Sequence, residues 1–140
     1  MKGQVASGAI PGFVFLCLAA AGACSRNLAG PVERSEWGGE HVGLTVSANG
    51  AALEYDCASG TIDQTIVAAT NGDFTVQGTH SPGHGGPIRE GEIAERHPAQ
   101  YEGWTDGDTM RFSVTLTDTG QKLGPFNLAR GQSPHVLRCL

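Results

Sequence analysis

Beyond residue 40, apolar and polar positions alternate with a period of two, the pattern of strands that bury one face. From His41 to Ala48, the residues Val42, Leu44, Val46 and Ala48 fall on one side, with Gly43, Thr45 and Ser47 between them. Asn49-Gly50 follows, and because both residues tolerate positive φ it predicts a two-residue hairpin turn. That turn sets Ala48 against Ala51, Val46 against Leu53, Leu44 against Tyr55 and Val42 against Cys57, every pair on one face. Ala58, Ser59 and Gly60 read as the next turn and Thr61 to Ala69 as a third strand. Asn71-Gly72 then opposes Ala69 to Phe74 and Val67 to Val76. Ile66 points to the other face, which requires a bulge or a second covered face.

The alternation stops after Thr79. His80 to Pro98, HSPGHGGPIREGEIAERHP, predicts a long loop, with one helical turn in its acid-rich part from Glu90 to Arg96. Regularity resumes in Ala99 to Trp104 and Thr109 to Thr117, around an Asp106-Gly107 turn that pairs Ala99 with Val114, Tyr101 with Phe112 and Gly103 with Met110. Leu123 to Ala129 forms a further strand with Phe126 and Leu128 inward and a bulge or edge at Pro125. His135 to Cys139 closes the chain as the last strand, with Leu137 and Cys139 on one face. About eight strands in sequential hairpins make an all-β antiparallel meander: a small flattened up-and-down barrel or, alternatively, a two-sheet β-sandwich.

Composition agrees with that class. The 140 residues allow one domain, and 21 glycines and 7 prolines, with lysine only at Lys2 and Lys122, favour short strands and turns over long helices. A net charge of -5 argues against nucleic acid as a partner, since no basic footprint exists to neutralise phosphates. The N-terminus is a different kind of segment. Residues 1–23 join Lys2, an apolar run from Phe13 to Ala21 and small residues ahead of Cys24, without an acid, and so predict an export signal too short to be a membrane span. Ala21, Gly22, Ala23 and Cys24 resemble the lipobox of bacterial lipoproteins, with Ala21 where that family prefers Leu. The resemblance implies cleavage before Cys24 and a lipid on that cysteine; ordinary cleavage after Ala23, giving a soluble periplasmic or secreted protein, is the alternative. Residues 24–36, polar and broken by Gly30-Pro31, then read as a tether, and residues 37–140 as the β-domain.

Cysteine parity supports lipidation. Cys17 leaves with the signal, so Cys24, Cys57 and Cys139 remain, an odd number for an oxidising compartment. With lipid on Cys24, Cys57 and Cys139 are free to form a disulfide. In a closed barrel their strands are separated by a third, so the bridge is expected to cross the interior or to flatten the sheet.

The long loop carries His80, His84 and His97 beside Glu90, Glu92 and Glu95, donors suited to zinc or copper, although no H-E-x-x-H helix or C-x-x-C pair fixes them in space. Ser59 and Ser81 lack a nucleophile elbow, and Asp56 and Asp63 read as solvated carboxylates rather than a glycosidase pair. No catalytic residues and no cofactor are expected, and the chain reads as a non-enzyme.

Trp37 at the start of the first strand and Arg138 in the last resemble the pair that closes the barrel floor in lipocalins, which implies a carrier of small apolar ligands with the His80 to Pro98 loop as its lid. A wider resemblance covers most of the mature chain. WGGEHVGLTV, EYDCASGTI, HGGPIREGE, YEGWTDGDTMRFSVTL and the closing LRC are similar to a set of uncharacterised small exported bacterial proteins, which implies export and fold and brings no activity. The expectation is therefore an exported cell-envelope protein, held to the membrane by lipid on Cys24, whose β-domain binds a protein partner or small ligand without catalysis. The alternatives are a lipocalin-like carrier, whose cavity Leu44, Tyr55, Phe112, Val114 and Leu128 would line, and a metal-dependent enzyme using His80, His84 and His97.

Overall fold

The computed structural model describes Gly3, Gly8 and residues 28–140. The predicted export signal, apart from Gly3 and Gly8, and Cys24 lie outside the described residues. Among the described residues the fold is all-β, with ten strands: β1 (Gly30–Pro31), β2 (Ser35–Gly39), β3 (Val42–Val46), β4 (Ala51–Tyr55), β5 (Ala58–Ile62), β6 (Val67–Ala68), β7 (Asp73–Pro82), β8 (His97–Thr105), β9 (Thr109–Leu116) and β10 (Lys122–Arg130). Eight of them close an antiparallel barrel in the order β10-β2-β3-β4-β5-β7-β8-β9, while β1 and β6 make a small separate sheet. A single closed sheet removes both edges, so the barrel, and not the sandwich, is the architecture.

The interior is filled by the inward rows that the alternation predicts. Trp37, Val42, Leu44, Leu53, Tyr55, Val76, Tyr101, Phe112, Val114 and Leu128 belong to one buried cluster. Ile66 joins it at 1% exposure, and the adjacent Val67 is 55% exposed. The reason is that Thr61 to Ala69 is not one strand: β5 ends at Ile62, the chain leaves the barrel, and Ile66 turns back to plug its end. β7 therefore pairs with β5, Ile62 opposite Gly78, while β6 pairs with β1.

Two hairpins differ in register from the tight-turn expectation. Val46 faces Ala51, Leu44 faces Leu53 and Val42 faces Tyr55, because Ser47 closes a four-residue turn through its N–H and hydroxyl, both bonded to the Gly50 carbonyl. Ala99 faces Leu116, Tyr101 faces Val114 and Gly103 faces Phe112. There the Asp106 carboxylate accepts the N–H groups of Asp108 and Thr109, which widens the turn. The register shift in β10 between Leu123 and Phe126 does occur at Pro125 as expected.

His135 to Cys139 forms no strand; β2 supplies the eighth wall of the barrel instead, and β structure begins at Gly30, inside the predicted tether. After Arg130 the chain folds back as a strap over the outside of β2 and β3. A Cβ at Gly38 would collide with the Gln132 carbonyl, and one at Gly43 would come within 2.9 Å of Pro134, so these glycines leave the strap its room. His135 bridges β2 by accepting the His41 N–H and donating to the Gly39 carbonyl. Leu137 then reaches the β4–β5 turn, where Cys57, at φ 50°, is joined to Cys139 with Cα atoms 4.8 Å apart. The disulfide pairs the expected cysteines, but at the rim of the barrel rather than across its interior.

Candidate functional site

The strap ends where the β2–β3, β4–β5 and β9–β10 turns and the loop of residues 83–96 converge, and together they cap one end of the barrel. The loop is shorter than predicted because β7 runs on to Pro82 and β8 starts at His97. It holds no helix: the Glu92 N–H bonds back to the Arg89 carbonyl in a turn. The Gly83 N–H bonds the Cys57 carbonyl and the Gly86 N–H the Leu140 carbonyl, which ties the loop to the strap.

Beneath the cap lies a buried polar cluster. His80 faces His97 across β7 and β8, and both belong to the inward rows Phe74-Val76-Gly78-His80 and His97-Ala99-Tyr101. His80 is 7% exposed, and its ring centroid is 5.2 Å from that of Tyr55 on β4. Opposite His80 on β5 stands Gly60, where a Cβ would collide with the Tyr101 hydroxyl. The Tyr101 hydroxyl donates to the Thr79 carbonyl at 2.7 Å. Tyr55 Oη and His80 Nδ1, by contrast, are buried without a hydrogen-bond partner.

Burial sets the charge state of this cluster. It drives the Tyr55 phenol far above its ordinary value, with Tyr101 adding to the effect, and pushes Tyr101 up to about 12. It also pulls His80 down, with the nearby His97 charge acting in the same direction. The inner cluster is therefore neutral around pH 7. His97 behaves oppositely, since its Nδ1 meets Asp118 at 2.7 Å and its Nε2 meets Glu95 at 2.7 Å, and the two carboxylates raise its pKa.

All five histidines of the chain sit at this end. His41 Nδ1 meets Asp56 at 2.5 Å, joining the β2–β3 turn to the β4–β5 turn. His135 meets Glu40 at 3.0 Å, holding the strap, and His84 meets Glu92 at 2.5 Å within the loop. Asp56 is thus not merely solvated. Its other oxygen accepts the Leu137 N–H at 2.7 Å, and that bond, followed by His41, holds its carboxyl below the ordinary range.

Of the three histidines proposed from sequence as metal ligands, the fold brings His80 and His97 together and leaves His84 with Glu92 in the loop. Among the described residues no group of three or more His, Cys, Asp or Glu side chains is arranged to hold a metal ion. Ser59 and Ser81 oppose each other across β5 and β7, but one position out of phase with His80, so they lie on the other face of the sheet and no Ser-His dyad forms. Arg138 is exposed on the strap, and the residue opposite Trp37 in the sheet is Arg130. The Tyr55-His80-Tyr101 cluster is the feature that sequence reasoning missed. Its signal was the inward row, which continues unbroken from Phe74 through His80. No family model matches the chain, and no curated protein or solved structure matches it significantly.

Proposed function

We propose that the chain is an exported bacterial cell-envelope protein, anchored by lipid on Cys24, whose β-domain is a non-catalytic scaffold that binds through its outer surface. The observation that carries this reading is the solid interior. Leu44, Tyr55, Phe112, Val114 and Leu128, the residues that would line a carrier's cavity, are each no more than 5% exposed and pack in one buried cluster. An eight-stranded barrel has room for its own side chains or for one small ligand, and here the inward side chains pack against one another. Recognition is then left to the outside.

Chain direction supports the anchoring. β1 and β6 lie at the end opposite the cap, and Leu28 lines a surface hollow with Asp106 and Gly107 there. Only Ser25, Arg26 and Asn27 separate Leu28 from Cys24. A lipid on Cys24 sets that end toward the membrane and turns the cap away from it. The Cys57–Cys139 bridge is compatible with an oxidising compartment. Fractionation of cells expressing the full chain tests the reading: the wild type is expected with membranes and Cys24→Ala in the soluble fraction, and unchanged fractionation contradicts it.

One observation favours the carrier as a second reading. Tyr55 Oη and His80 Nδ1 lack partners under the cap, and a polar group admitted by its opening would satisfy both. A ligand co-purifying with the wild type, and lost in Tyr55→Phe with His80→Phe, would establish that alternative.

A further inference from the structure

We propose that the outer face around Trp104 is a carbohydrate-binding site, sized for one or two sugar rings of a glycan chain. The proposal adds a ligand class to surface binding and rests on that reading. Among the described residues Trp104 is the one large apolar side chain exposed on the barrel strands; the others, Val67, Ile88, Ile93, Leu137 and Leu140, lie on β6, the loop and the strap. It is 39% exposed, whereas Trp37 is 1% exposed.

Trp104 is also held in place. Its indole N–H donates to the Asn71 carbonyl at 2.8 Å, and its edge rests on Gly72, where a Cβ would come within 2.7 Å of Nε1. A ring fixed along one edge with the remainder in water is a preformed platform, and binding to it costs little side-chain entropy.

The surroundings select the ligand. Asp73 and Arg111 stand opposite Trp104 on the two neighbouring strands, and Glu102 opposite Ser113 forms the next outward row. These residues and Trp104 line a shallow hollow of about 380 Å³. Asp73 Oδ2 accepts from the Asn71 amide at 2.7 Å and Glu102 Oε1 from Gln100 at 2.8 Å, so both carboxylates are oriented. A pyranose ring offers an apolar C–H face for the indole and a rim of hydroxyls. Those hydroxyls donate to Asp73 and Glu102 and accept from Arg111. A protein interface buries about 800 Å² per partner around an apolar centre. Here the apolar area is one indole wide and its neighbours are charged, which fits a sugar and not a protein.

Fluorescence titration of the purified full chain carrying Cys24→Ala tests the site without depending on the anchor. In Trp37→Phe the only indole is Trp104, and saturable quenching is expected with soluble glycan strands released from peptidoglycan, or with maltoheptaose as a neutral glucan. Either response supports the proposal. The response is expected to vanish in Trp104→Ala and to weaken by about tenfold in Arg111→Ala. If Trp37→Phe fails to fold, the Trp104 indole N–H resonance of the wild type is followed by NMR instead. No saturable response to either glycan, or a response unchanged in Trp104→Ala, overturns the site. Self-association lost in Trp104→Ala without any sugar response also overturns it, in favour of a protein contact. Soluble Cys24→Ala with an intact glycan response would leave this site standing whatever the partner surface of the anchored protein.

Discussion

His80 and His97 stand opposite each other across β7 and β8, yet their surroundings drive their charge in opposite directions. Burial pulls the His80 pKa down, and Asp118 and Glu95 pull the His97 pKa up. The ring whose neutral form is favoured lies under the cap, and the one whose charged form is favoured ties the cap to the barrel.

Stability is therefore expected to depend on pH in two ways. A raised folded pKa for His97 means that its contribution is fully present below the unfolded value of about 6.5 and lost as pH rises through the folded value. The difference in melting temperature between the wild type and His97→Gln should be largest near pH 5.5 and shrink at alkaline pH. The depressed value of His80 acts in reverse, so its penalty grows as pH falls below about 6.5, and His80→Gln should flatten the acid side of the stability curve. A wild-type minus His97→Gln difference that grows with pH would contradict the assignment.

Tyr55 and Tyr101 separate an unpartnered hydroxyl from a bonded one. Tyr101→Phe removes the bond to the Thr79 carbonyl and should cost about 1 kcal/mol or more in denaturant unfolding. Tyr55→Phe removes a buried hydroxyl with no well-formed hydrogen bond beyond its interaction with the Tyr101 hydroxyl, and is expected to cost less than Tyr101→Phe. Equal losses in both would show that Tyr55 finds a partner after all.

Gly78 tests the β5–β7 contact that replaces the predicted hairpin. A Cβ there collides with the Thr61 carbonyl, which is backbone and has little freedom to yield. Gly78→Ala should destabilise by about 3 kcal/mol, at the upper end for overpacking. Had Ala69 paired with Phe74 instead, Gly78 would be free of β5 and the cost would be small.

Much of this architecture was legible in the sequence, and the two errors of register have a common cause. Val42, Leu44, Val46, Leu53 and Tyr55 all face inward as the alternation requires. Sliding one strand by two residues keeps every one of them inward, so the pattern leaves register to the turn. The Ser47 and Asp106 hydrogen bonds that lengthen the two turns decided it. The strap was illegible for a different reason: it is held by backbone bonds to Gly39 and Cys57 and by room at Gly38 and Gly43, none of which gives a side-chain period. At the capped end the rows carrying His80 and His97 remained in phase, but the glycines and prolines between them read as loop.

The disulfide adds most in the unfolded chain. It closes a span of 82 residues, for which loop-closure entropy gives about 4 kcal/mol. Because the bridge lies on the rim, Cys57→Ser with Cys139→Ser should lower the unfolding free energy by up to that amount while leaving the far-ultraviolet circular dichroism of the barrel unchanged. Loss of the β signal at room temperature would mean that the strap is required for closure.

The most direct test of the account is the intact mass of the protein extracted from its own membranes. An exported, lipid-anchored and disulfide-bonded scaffold predicts a polypeptide beginning at Cys24, heavier by its lipid and lighter by the two hydrogens of the Cys57–Cys139 bond. A polypeptide that retains residues 1–23, or one that carries no lipid, or one with both thiols free, would contradict it.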